Sequence, residues 1–149
     1  MAKRLWSQSS YGKTALSAKF SVEGVNELLE KIAETGKNVD AACHKAVAAT
    51  LPIIEKSMRD GANRHRRTGE VVEAIELQDV KQQGNYIYGV VGINLEKHPE
   101  AIEGVFQEYG DGHSPEFPDP FVRPAVDDNK RRINSTIKKV LQKEGVPVE

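Results

Sequence analysis

Apolar residues recur at helical spacing through the first third of the chain and alternate at strand spacing in its middle. Val25, Leu28, Leu29 and Ile32 follow the i, i+3, i+4, i+7 rule of a helix with one buried stripe, and Gly36 supplies its stop. A second, longer helix follows, capped by Asn38 or Asp40. In it Val39, Ala42, Cys43, Ala46, Val47, Thr50, Leu51, Ile54 and Met58 share one face for about six turns. Pro52 lies inside it, removes one backbone donor and predicts a kink.

Strand periodicity appears in three places. Residues 15–20 read as a short strand, residues 75–80 alternate, and Tyr86 to Ile93 is the clearest strand, entered through the hairpin signal Gly84-Asn85. Gly89 and Gly92 within that strand predict a bulge or a close neighbour. Residues 101–109 fit either a helix running into a strand or an irregular strand. From Ala125 onward, Val126, Ile133, Ile137, Val140 and Leu141 give a closing amphipathic helix. Asp127 and Asp128 fall in its first turn and Lys138, Lys139 and Lys143 towards its end, an order that complements the helix dipole. Helices and strands grouped in this way predict an α+β fold, a small antiparallel sheet packed against a long helix and a C-terminal helix. Residues 1–14 read as a flexible polar arm, 15–143 as the domain and 144–149 as a frayed end.

One stretch departs from simple periodicity. Between Glu108-Tyr109-Gly110 and the closing helix lies a loop containing Pro115, Pro118, Pro120 and, at its end, Pro124. Proline fixes its own φ and biases the residue before it towards extended geometry, so this loop is stiff. Phe117 and Phe121 are either anchors that it presents to a partner or side chains that fill the domain's own core.

Composition narrows the function classes. A chain of 149 residues buries enough surface for one core. Its 21 basic and 22 acidic residues balance, so an electropositive site must be local. One cysteine, Cys43, excludes an internal disulfide and suits a reducing compartment; it lies on the apolar stripe, with nothing placed to activate it. No apolar run has the length of a membrane span, and a soluble protein made in the cytoplasm is expected.

Arg64-His65-Arg66-Arg67 follows the long helix. One cation there complements the helix dipole; the rest suit phosphate or an acidic partner surface. Glu108, Asp111, His113, Glu116 and Asp119 put oxygen and nitrogen donors in one loop, the best available metal set, although acidic residues and glycine are also what turns use. There is no Gly-rich phosphate loop, H-E-x-x-H, cysteine pair or G-x-S-x-G, and no enzyme is expected.

Taken in order, the chain shows Gly24-Val25-x-x-Leu28-Leu29, a long helix, Thr68-Gly69-x-Val71-x-x-Ala74-Ile75, a hairpin ending Val90-Val91-Gly92, Glu108-Tyr109-Gly110, and Pro120-Phe121-x-x-Pro124-Ala125 before a closing helix. That succession resembles the tail-completion, or head–tail joining, proteins of long-tailed bacteriophages, to which lambda minor tail protein Z is related. It covers roughly residues 15–141, nearly the whole chain. Val71 stands where such proteins usually carry Leu, Ala74 where they often carry Ser, and the N-terminal arm is longer than theirs.

The resemblance implies a virion protein, assembled in the host cytoplasm, that forms a ring at the head-proximal end of the tail. Six subunits are implied by analogy with the tail tube's symmetry. The implied neighbours are the tail terminator, the tail tube and the head-completion or stopper ring, with contact to channel DNA as a further option and no membrane. It carries no cofactor, metal or catalytic site. Candidate subunit or partner contacts are Trp6, Arg64, Arg66, Arg67, Phe117, Phe121 and Arg123, with the loop 110–124 as one ring face and the sheet edge near Tyr86 to Ile93 as the other. The competing classes are a nucleic-acid-binding module using Arg64, Arg66 and Arg67, and a metal-dependent nuclease using the acidic loop.

Overall fold

The computed structural model describes residues 15–21 as backbone and residues 39–146 and 148 in full. The arm with Trp6 and the helix expected around Val25 to Ile32 lie outside the described residues. The architecture is α+β, as the grouping of periods predicts. Strand β1 (Ala15–Ser21) precedes helix α1 (Val39–Asn63), the short α2 (Glu70–Glu73), β2 (Ile75–Leu77), β3 (Lys81–Gln83) and β4 (Tyr86–Asn94). A 3₁₀ turn (Pro99–Ile102) then runs into α3 (Glu103–Tyr109), and α4 (Val122–Asp127) and α5 (Lys130–Lys143) complete the chain.

β4 is the centre of the sheet. β1 pairs with it antiparallel along one side, from Ala15 opposite Asn94 to Ser21 opposite Tyr88. Along the other side, β2 pairs with residues 91–93 and β3 with residues 86–88. A sequence with one strong strand and several weak ones gives this result, because the strong strand collects partners on both sides. The proposal that Tyr86 to Ile93 forms a sheet edge is therefore corrected: β4 is the central strand, with partners on both sides. The alternating run expected over residues 75–80 is a strand only to Leu77, after which the Gln78 N–H still donates to the Val90 carbonyl (3.0 Å).

α1 lies across one face of the sheet. Its stripe from Val39 to Met58 is buried as the spacing predicts, against Ile87, Val91 and Ile93 of β4. Gly89, between them, is the expected close neighbour: a Cβ there would stand 2.3 Å from Leu51 Cδ2. Pro52 neither ends nor interrupts the helix. Its missing N–H orphans the Ala48 carbonyl, and Ala48 is exposed, where water can serve as the donor. Cys43 is a core residue, and burial pushes its thiol pKa up.

α5 packs on α1 through Ile133, Ile137 and Leu141. The single closing helix expected from Ala125 is two, broken at Asp128 and Asn129. Asp127 and Asp128 thus fall at the end of α4 and in the break, still N-terminal to α5. Of the end expected to fray after Lys143, the described part is closed as far as Val146. Gly145 takes φ +80°, its N–H donates to the Gln142 carbonyl (3.0 Å), and the Val146 N–H donates to Leu141 (2.9 Å). This is a Schellman closure, and its usual apolar contact is present, because Leu141 and Val146 are both buried in the core.

Candidate functional site

The C-terminal end of α1, helix α3 and the loop 110–120 meet at one end of the domain. Residues 101–109, ambiguous in sequence, are the end of the 3₁₀ turn followed by α3, and this stretch is inverted. Its inward side carries Ala101, Gly104, Gln107 and Glu108, all buried. Its outward side carries Ile102, Phe106 and Tyr109, which are 46 %, 41 % and 54 % exposed. Those three stand at i, i+4 and i+7, one row on one face.

The buried polar side chains are explained by what they bind. Glu108 is 1 % exposed. Its carboxylate accepts the N–H groups of Phe121 (2.8 Å), Val122 (2.9 Å) and Arg123 (3.3 Å), and Arg123 Nε donates to it at 3.0 Å. It therefore serves the orphan donors at the start of α4 from thirteen residues upstream in the sequence. Gln107 Nε2 donates to the Gly61 carbonyl (3.0 Å), an acceptor in the last turn of α1, and the Gln107 carbonyl accepts from Asp119 N–H (2.8 Å).

The loop between is tied down along its length. Asp119 accepts from Arg64 Nε and Nη2, both at 2.8 Å, and lies 2.8 Å from His65 Nε2. Those contacts, the bidentate Arg64 contact first, hold the Asp119 pKa below its ordinary value. The Phe117 ring stands edge-on to His65, with centroids 5.0 Å apart. Gly110 takes φ +91°, and a Cβ on it would stand 3.3 Å from Pro118 Cδ, so the glycine of E-Y-G serves both the turn and the packing. The Phe117–Pro118 peptide is cis.

Asp111 organises the tip. It accepts from Ser114 Oγ (2.6 Å) and from the N–H groups of His113 and Ser114 (both 2.8 Å). These bonds, the Ser114 hydroxyl first, lower its pKa from 3.8 to about 2. A carboxylate depressed on folding contributes its full effect above the unfolded value and loses it as pH falls through the folded one. The tip is therefore expected to hold down to pH about 4 and to open between about 4 and about 2. Amide shifts of His113 and Ser114 followed by NMR should move with a midpoint near 2; a midpoint near 4 would mean that Asp111 does not hold the turn.

These ties bear on several expectations. Phe121 is 2 % exposed and belongs to the core, not to a partner surface. Arg64 and His65 are committed to Asp119. Arg123 is committed to Glu108 and also lies over the Tyr109 ring, 5.7 Å from its centroid. Arg66 and Arg67 remain exposed, Arg67 with a loose ion pair to Glu103 at 3.7 Å. The metal set is dispersed: Glu108 faces α4, Asp111 its own turn and Asp119 the end of α1. Among the described residues no three such groups converge on one point. No helix among the described residues is long and apolar enough to cross a membrane.

Beside the loop lies a cavity of about 380 Å³ whose walls include Arg66, Arg67, Val71, Val72, Phe106 and Phe117. Two further ties had no sequence signal. Arg59 bridges from α1 to the carbonyls of Val72 and Ile75 (both 2.6 Å), and Thr68 Oγ1 donates to Glu70 (2.9 Å) at the start of α2. The exposed row on α3 did have a signal, the i, i+4, i+7 spacing of Ile102, Phe106 and Tyr109 opposite small and polar residues. Comparison with protein-family models, with curated proteins and with solved structures gave no match.

Proposed function

We propose that this protein is a non-enzymatic structural subunit of a long-tailed phage virion, forming a closed ring at the head-proximal end of the tail and joining tail to head. The observation that carries the reading is the inverted helix α3. A helix that buries Gln107 and Glu108 and exposes Ile102, Phe106 and Tyr109 is arranged for contact with something outside its own domain. The residues behind the resemblance support it. Glu108 of E-Y-G binds the backbone opened by Phe121 of P-F-x-x-P, so the two motifs form one hydrogen-bonded unit. That unit fixes the apolar row and the Pro-rich loop without a partner, which lowers the entropy lost on docking.

A ring needs two different faces on each subunit. The row on α3, with the adjacent loop, is one. The outer side of β2 and β3, where Leu77 is 41 % exposed, replaces β4 as the other. The purified protein, alone or mixed with its neck and tail neighbours, should show a mass near six times the 16.5 kDa of one chain. Phe106→Asp should leave the melting temperature unchanged and the protein monomeric. A wild type that stays monomeric with every neighbour present, or a Phe106→Asp variant that assembles normally, would overturn the reading.

A further inference from the structure

We infer that the outer face of α5 is a binding surface for the phosphate backbone of duplex nucleic acid. The helix contains Lys130, Arg131, Arg132, Lys138, Lys139 and Lys143 and no acidic residue. Lys130 is paired with Asp127 at 3.0 Å. The other five are exposed, and among the described residues none has an ion pair. An ordinary solvated helix face mixes signs, as α1 does with Lys56–Asp60 and Arg59–Glu55, each one turn apart. Here the acids lie at the ends. Asp128 sits in the break before the helix, and Glu144, just after it, is held by Lys45 of α1 at 2.9 Å. A chain with a net charge of −1 thus carries, among the described residues, a helix face of one sign.

The placement of the cations favours a duplex. At 3.6 residues per turn, Arg131 and Lys138 form one row and Arg132, Lys139 and Lys143 a second, about 100° away around the axis. Ser135 and Gln142 lie between the rows, and Ile133, Ile137 and Leu141 face the core. A helix is about 10–12 Å across and the major groove about 12 Å wide, so two rows can meet the two strands that border it. The inference does not rest on ring formation, because binding is measured on the isolated full-length protein.

The test is fluorescence anisotropy with a random-sequence duplex of about 30 base pairs at 50 to 200 mM salt. Five phosphate contacts predict a slope of log K against log salt of about −4 to −5, a loss of several hundred-fold across that range. R131Q/R132Q/K138Q/K139Q/K143Q should abolish binding and K138Q/K139Q should reduce the slope by about two, while R66Q/R67Q leaves it unchanged. Circular dichroism of each variant shows whether the fold is kept, and the double variant decides if the fivefold one unfolds. No binding at 50 mM salt, an unaltered slope in K138Q/K139Q, or equally tight binding of polyglutamate would overturn the assignment.

Discussion

Glu108→Ala is expected to destabilise the fold by about 2–6 kcal/mol, at about 1–3 kcal/mol for each of two buried donors, a large fraction of the roughly 5–15 kcal/mol by which domains are stable. The carboxylate is buried, and its removal leaves the N–H groups of Phe121 and Val122 without their acceptor in a site that water does not reach freely. The partner cation is a smaller matter: the Arg123 side chain is 54 % exposed, and exposed ion pairs contribute about 0–1 kcal/mol. The order of effects is therefore fixed. Glu108→Ala costs most. Glu108→Gln, which keeps one acceptor oxygen, costs about 1–3 kcal/mol. Arg123→Ala costs least. Urea unfolding of the three variants measures the order. If Arg123→Ala were as costly as Glu108→Ala, the carboxylate would be an ion-pair partner and not the cap of α4.

The chain's periodicity made the outer fold legible, and chemistry at one end hid the site. The stripe on α1 and the run Tyr86 to Ile93 were readable because one buried face imposes one period, and both lie where the spacing puts them. Residues 101–109 defied that rule because α3 is inverted. Its buried positions are chosen for the backbone groups they satisfy, Gly61 for Gln107 and the start of α4 for Glu108, and no local pattern announces a partner that distant. The same distance misled the reading of the charges. Arg64 looked like a free cation because Asp119, which holds it, is 55 residues away. The closure at Gly145 was missed for a simpler reason: the pairing of Val146 with Leu141 beyond it is visible only once the helix register is known.

Phe121→Ala is expected to cost about 3–5 kcal/mol, the range for removing a buried aromatic ring. The neighbouring glycine tests the geometry further. A Cβ on Gly61 would stand 2.6 Å from Phe121 Cβ and 3.3 Å from its Cα, so Gly61→Ala forces two backbone segments apart. Overpacking of this kind costs about 1–3 kcal/mol, against a gain of about 1 kcal/mol in helix propensity. The clash involves Phe121 Cβ and not the ring. Gly61→Ala should therefore cost as much in a Phe121→Ala background as in the wild type, and markedly less in a Phe121→Gly background, where that atom is gone. Thermal or urea melts of the singles and doubles give the coupling. A Phe121→Ala protein with wild-type stability that fails only in assembly would return the residue to the surface and remove the link between the loop and α1.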